Sequence, residues 1–399
     1  MNKHLIGAMG AMLATAVFCS GTAFADHRPG NVVVIGGTNS GTGHYSEPAR
    51  RKLNSQKLYV DELNGRGGLL GHKVELRILD DKSDRRTAIE LYDKLITEGT
   101  VDLFLGPYGS RLSDAVAHVM ERYKRPFVAY AASPVIFQRG RRYVFSLPLA
   151  ISQNYQKGAL HLAKQIGVKQ IAIIGAGEVF PRQSTEGALE WAKKLDLNVV
   201  LLESYRKEET DFIALLRRIE ASGAEAIFSS SFYHDSVAQI RQLRELNINV
   251  KMFAATIGPA LPKYVQELGS TAEFVLSFSS WEPKLVLGYP GMTEFIESYE
   301  RRYGAKPNYH NATGYTVMQI LEAAVNDAGS FDPQEVRNAM ASIAVETVHG
   351  HWKPNAQGLS TGEALTIQIQ NGKRMIVWPA HMAEARFLPM PKWEGRATK

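Results

Sequence analysis

From Asn31 onward the sequence alternates short β-branched runs with amphipathic stretches of helix length. Strands separated in this way do not pair as tight hairpins, because each intervening helix must cross a face of the sheet before the next strand begins. The expectation is an α/β chain of βαβ units, with parallel-sheet cores and helices on both faces. NVVVIGG, KVELRILDD, VDLFLGP, PFVAYAAS and YVFSLPL supply one such series between residues 31 and 149. A second follows in QIAIIGAG, NVVLLESY, AEAIFSSSF and VKMFAAT, between residues 170 and 256. Two successive Rossmann-like lobes account for both. Beyond them come FVLSFSSW, helical stretches over 292–303 and 312–328, and the runs LTIQIQ and RMIVWP around Asn371-Gly372, a strong hairpin signal. The tail PMPKWEGRATK has no periodicity and reads as an irregular surface wrap.

The N-terminus narrows the compartment. Lys3 and His4 precede an apolar, small-residue run from Leu5 to Cys19, and Ala23-Phe24-Ala25 forms a small-x-small cleavage signal. This pattern predicts a secretory leader over residues 1–25 and a mature chain starting near Asp26. Cys19 is the single cysteine, and Phe18 stands before it where a lipoprotein signal needs a small residue, so a lipid anchor is not expected. An exported chain without a mature cysteine has no disulfide framework and no thiolate chemistry. The formal net charge of +6 is scattered beside acids rather than gathered on one element, which argues against a nucleic-acid partner. A mature chain of this length exceeds what one hydrophobic core usually supports.

A family resemblance rests on an ordered set of segments. GLLGHKVELRILDDKSDRRTAIELYDKLITEGTVDLFLGPYGS, the later Ala-Ala-Ser strand end, NATGYTVMQILEAAVNDAGSFDPQEVRNAM and IQIQNGK occur in this order over nearly all of the mature chain. Together they resemble the type I periplasmic solute-binding proteins of the branched-chain amino-acid ABC transporter group, the Leu/Ile/Val-binding protein family. The resemblance implies a two-lobed Venus-flytrap clamshell with a three-crossover hinge near residues 148, 278 and 350. Lobe I then holds 26–148 with 278–350, lobe II holds 149–277 with 351–380, and 381–399 is the tail. It also implies a monomer in the periplasm that captures a small amino-acid-like or carboxylate solute. The solute passes to inner-membrane ABC permease and ATPase subunits, with no catalysis and no cofactor. A ligand sensor of the same fold feeding a membrane receptor, and an exported hydrolase, are the rival readings.

Site candidates follow from the strand ends. Ser110 lies between Gly106-Pro107 and a helix-like run, where its hydroxyl caps the helix or reaches a ligand beside free backbone N–H groups. A nucleophile elbow would read Gly-x-Ser-x-Gly, and Tyr-Gly-Ser-Arg-Leu lacks the second glycine. By resemblance, Ser110 and Ser133 hold a ligand carboxylate, Ala131 offers a carbonyl to an ammonium, and small Ala132 lets the ligand approach. Phe180 and Tyr233 are the matching aromatics of the second lobe, each a cleft wall or a core residue. The leucine-binding relatives carry an acid in the loop matching FAATIGPALPKY, where this chain has Thr256 and no carboxylate. Asp235 is a substitute or a helix cap. Without an acid, a ligand ammonium would be uncompensated, so carboxylates and amides stay open.

Three motifs are weaker than they look. IGAGEVF resembles a dinucleotide fingerprint but puts Phe180 at the third glycine. GGTNSGTGHY lacks the Gly-Lys-Ser/Thr of a phosphate loop and reads as a wide cleft-facing turn. His349-x-His351 has no third ligand nearby and reads as surface rather than as zinc ligands.

Overall fold

The computed structural model describes residues 32–284 and 288–396, so the expected leader and Cys19 lie outside the described residues. The first half runs β1 (Val32–Asn39), α1 (Ser46–Gly65), β2 (Lys73–Asp80), α2 (Arg85–Thr97), β3 (Leu103–Leu105), α3 (Ser110–Arg122), β4 (Phe127–Ala129) and β5 (Val144–Ser146). α4 (Lys157–Gln165), β6 (Gln170–Ala176), α5 (Val179–Lys194), β7 (Asn198–Tyr205), α6 (Ile213–Ala221), β8 (Ala226–Ser230), α7 (Tyr233–Glu245), β9 (Met252–Ala255), α8 (Pro262–Leu268) and β10 (Leu276–Ser279) follow. The chain ends with α9 (Met292–Tyr303), α10 (Tyr309–Ala328), α11 (Pro333–Ser342), β11 (Val345–Thr347), β12 (Gly350–Trp352), β13 (Leu365–Gln370) and β14 (Lys373–Trp378).

Among the described residues these strands build two main sheets. The first has the order β2-β1-β3, all parallel, and a bridge between Tyr108 and Tyr130 joins it to the parallel pair β4-β5. The second has the order β14-β13-β10-β9-β8-β6-β7, parallel from β10 to β7 and antiparallel at the β13-β14 hairpin. Strands such as β8 and β9 are buried at every residue, as parallel strands covered on both faces must be. Asn371 and Gly372 both take positive φ, the backbone twist a two-residue hairpin needs.

Local signals fix the helices that return to the first sheet. Asn308 accepts bonds from the His310 and Asn311 amides at the start of α10, and Asp332 does the same for α11 ahead of Pro333. Gly304 and Gly329 close α9 and α10 in the left-handed conformation. α10 lies so close on α1 that a Cβ at Gly314 would collide with the Lys52 carbonyl.

The chain passes between the two sheets after β5, after β10, and between β12 and β13. The expected crossing at 278 falls inside β10, which pairs with β9 and β13, so the second sheet keeps the chain as far as Ser279. The three passages adhere to one another. Ser146 donates from its amide to the Gly358 carbonyl at 2.8 Å, Leu149 bridges Thr361, and the Trp352 indole donates to the Ser146 carbonyl at 2.7 Å. The Trp281 indole donates to the Val348 carbonyl at 2.8 Å, and the Ser280 hydroxyl meets His349 Nε2 at 3.0 Å. His349 is therefore buried, contrary to the surface position expected, while His351 is exposed beside Glu346. Burial pushes the His349 imidazole down to about 4, against hydrogen bonds that favour its charged form. No cluster of three metal-capable side chains occurs among the described residues.

The tail packs on the second sheet's side. The Gln368 side chain bonds the Leu388 backbone in both directions, the Met390 amide donates to the Lys251 carbonyl, and the Trp393 indole to the Ile248 carbonyl.

Candidate functional site

A pocket forms where carboxyl ends of strands from both sheets converge with helix N-termini, the position where open α/β sheets place ligands. Tyr108, Gly109 and Ser110 reach it after β3, and Tyr130 and Ala132 after β4. Phe180 at the head of α5, Phe232 after β8 and Ile257 after β9 reach it from the second sheet. Leu149 and Tyr155 come from the first passage, and Tyr309 and His310 open α10. The rings leave a cavity of about 30 Å³, enough for one or two waters. A larger solute needs the rings or the lobes to part.

The head of α3 is prepared for a polar group. Gly109 holds φ at 86°, donates to the Tyr130 carbonyl at 2.9 Å and gives α3 no side-chain cap, so its first-turn amides lack an intrahelical partner. The Ser133 amide donates to the Ser110 hydroxyl at 3.2 Å. Ser133 Oγ, fully buried, has no hydrogen-bond partner. The two serines singled out by sequence are thus in direct contact. Ser110 and Ala132 are on the lining, while Ala131 and Ser133 are buried and off it.

Across the pocket, Phe180 packs on Tyr155 and Phe232, with ring centroids 5.0 and 5.7 Å apart. Tyr233 does not line the pocket: its hydroxyl donates to Glu267 at 2.5 Å and its ring packs on Tyr264. Phe232, one residue earlier, takes the wall position. Thr256 is also off the lining. It ties β8 to β9, donating to the Ser231 carbonyl at 2.6 Å and accepting from the Ser231 amide at 2.9 Å, and the neighbouring Ile257 faces the pocket. Asp235 serves as the helix cap, accepting from the Phe232 amide at 3.1 Å and the Tyr205 hydroxyl at 3.0 Å.

Beside the pocket a polar layer spans the cleft. Glu178 accepts from the Tyr45 hydroxyl at 2.8 Å and lies 3.7 Å from Arg111 Nε. His44 Nε2 lies 3.7 Å from Asp235. Burial lowers the His44 pKa, opposed by Asp235 and Glu178 and reinforced by His234 and Lys207. Burial, then Glu178, pushes the Tyr45 phenol well up.

Sequence reasoning missed Tyr108, Tyr130, Leu149, Tyr155, Phe232, Ile257, Tyr309 and His310 as lining residues. Tyr108 and Tyr130 stand within two or three residues of the chosen serines, a signal within reach. Tyr309 and His310 adjoin the NATGY segment but come into register only through the chain's return to the first sheet. The weak motifs also resolve. A Cβ at Gly175 would collide with Thr185, so that glycine serves helix packing. In the loop after β1 the Gly41 and Thr42 amides donate to Asp80, which occupies the donors a phosphate would need.

The matches to known proteins agree with this architecture. The family model described as periplasmic binding protein matches residues 32–368. A Leu/Ile/Val-binding protein homolog 7 from Brucella suis is 26% identical over 409 residues, covering 97% of this chain and 100% of that protein. The substrate binding protein LivJ of a Streptococcus pneumoniae branched-chain amino acid transporter, solved with isoleucine, superposes with a TM-score of 0.80 at 19% identity, covering 90% of this chain and all of the other. A Rhodopseudomonas palustris ABC transporter solute binding protein, solved with benzoate, gives 0.77 at 17% identity, covering 89% and 98%. Likenesses at this identity establish a shared fold: two parallel-sheet lobes with a three-passage hinge. With its family model matched over most of its length, the chain belongs to the periplasmic binding protein family and carries the type I fold of solute-binding proteins.

Proposed function

We propose that the chain is the solute-capturing component of an ABC importer, closing two lobes on a small amino-acid-like or carboxylate solute. It then presents the solute to permease and ATPase subunits of the inner membrane. The observation that carries this reading is the pocket itself, whose walls come from strand ends of both sheets, so that one ligand touches both lobes. A ligand that contacts both lobes favours the closed state by its differential affinity. Ser110 and Ser133 hold the head group, and Phe180 with Phe232 closes over the body.

The family implies a location outside the cytoplasm, and residues 1–25 would direct export to the periplasm with no lipid anchor. The protein acts there as a monomer. Lobe I comprises 26–148 and the segment from about 280 to 350, lobe II the intervening residues with 351–380, and 381–399 the tail. The two ligands named for the structural neighbours, isoleucine and benzoate, share a carboxylate and differ in the amine.

The test is a thermal-shift and small-angle scattering screen of the ligand-free chain from Asp26 against amino acids, amides and carboxylates. A ligand at a hundred times its Kd adds about 2.7 kcal/mol to the folded state. A raised Tm with a smaller radius of gyration supports capture by closure; a panel with neither response defeats it.

A further inference from the structure

We propose that the pocket selects a carboxylate with an aromatic body and no amine, and that Tyr309 and His310 are its specificity-determining residues. The inference rests on the solute-capture reading and names the ligand class within it.

The first argument is charge. No aspartate, glutamate, lysine or arginine lines the pocket. A ligand ammonium closed inside would have no counter-ion, and a buried, unpaired charge is strongly disfavoured. The neighbouring acids are off the lining and each has one oxygen hydrogen-bonded elsewhere, while Glu178 Oε1 and Asp235 Oδ1 are buried without a hydrogen bond, 3.7 Å from Arg111 and His44. Glu178 holds the Tyr45 hydroxyl and faces Arg111, and Asp235 caps α7 and faces His44. Tyr45 packs against two lining rings, 5.8 Å from Tyr108 and 5.1 Å from Phe232, without reaching the lining itself.

A carboxylate, by contrast, meets donors. The uncapped first turn of α3 offers amides and the positive end of a helix dipole. Ser110 lines the pocket there, and Ser133, off the lining with its Oγ buried and without a partner, stands directly behind it, its amide bonded to the Ser110 hydroxyl.

Shape and residual polarity fix the rest. Tyr155 is held by Phe278, stacked on it with centroids 3.5 Å apart and planes 15° from parallel, and Phe180 stands edge-on to it at 5.0 Å. Such ring walls suit a flat body better than a branched chain. Tyr309 and His310 line this pocket, and the Tyr309 hydroxyl and His310 Nε2 are buried with no hydrogen-bond partner. The other imidazole nitrogen, Nδ1, meets the Tyr130 hydroxyl at 2.9 Å, which fixes the ring's orientation. Burial, with Arg51 adding, holds His310 neutral, so Nε2 is a donor or an acceptor according to the tautomer, and a hydroxyl, which can do either, fits both. Buried polar groups left unpaired in a native structure call for a partner, and a ring hydroxyl on the ligand supplies one.

Calorimetric titration of the ligand-free chain with matched pairs tests this. 3-Phenylpropanoate against L-phenylalanine, and 4-methylpentanoate against L-leucine, differ only in the amine. The amine-free member should bind at least about tenfold tighter in each pair, and the phenyl acid tighter than the aliphatic one. 4-Hydroxybenzoate should exceed benzoate by about five- to tenfold, and Tyr309→Phe and His310→Leu should each shrink that ratio. Amino acids binding as tightly as their amine-free partners would overturn the ligand class while leaving solute capture intact. A hydroxyl ratio near one in the parent protein would overturn the role of Tyr309 and His310. No binding by any of the six compounds to a chain whose folding is verified by circular dichroism would count against both readings, and an amide or other solute answering in the wider thermal screen would count against the ligand class alone.

Discussion

The Tyr45 hydroxyl donates a 2.8 Å hydrogen bond to Glu178, and the two residues come from opposite sides of the cleft. With Arg111 near the same carboxylate, this contact exists only while the lobes are together. Tyr45→Phe leaves a buried carboxylate short of a donor in the closed state and solvated in the open one. Hydrogen bonds to charged groups are worth about 1.5–3 kcal/mol, so ligand affinity should drop by about tenfold or more. Titration checks the affinity, and scattering of the ligand-free variant should show a larger radius of gyration.

Ser133 separates binding from folding. Its hydroxyl has no partner within the protein, so Ser133→Ala removes no native hydrogen bond. Tm should stay the same or rise, while affinity for a carboxylate falls by about 1–2 kcal/mol. A drop in Tm with unchanged affinity would make Ser133 a structural residue.

The register at the end of β8 predicts unequal neighbours. Phe232→Leu removes part of a pocket wall and should weaken binding by about three- to tenfold. Tyr233→Phe loses only the bond to Glu267 and should leave affinity within about twofold. Parallel titrations of the two variants give the comparison.

His349 predicts acid sensitivity. Its folded-state pKa is about 4, below the ordinary imidazole value of about 6.5. In this window the unfolded chain binds more protons than the folded one, so stability is full above about pH 6.5 and falls as pH drops towards 4. The loss from this group is on the order of 3 kcal/mol. His44 and His310, also lowered by burial, act in the same direction. Denaturant titrations from pH 7 to 4 should show a smaller decline for His349→Gln than for the parent chain.

The strand–helix rhythm was enough to place both sheets, and Asn371-Gly372 marked its hairpin correctly, because these features depend on residues close in sequence. The position of Ser110 on the pocket lining was legible for the same reason, since it lies in a turn placed by the strand before it, and Ser133 falls beside it though off the lining. What escaped depended on distant partners. The one-residue difference between Phe232 and Tyr233 arises where β8 gives way to α7, and the period of two that tells inside from outside ends there. His349 reads as polar and exposed until Ser280, from another passage of the chain, is brought beside it. Thr256 stood in the right loop, but its hydroxyl was already used by Ser231.

The three passages between the lobes are laced side by side, Ser146 to Gly358, Leu149 to Thr361, Trp281 to Val348. Sliding or twisting one lobe over the other would break these ties together, whereas bending about the line they define preserves them. The lobes are left with essentially one degree of freedom. Whatever lies between them can only set how far that single angle closes, so differences in ligand bulk are translated into differences in aperture. A partner that docks across both lobes could read the cargo from that angle without touching it.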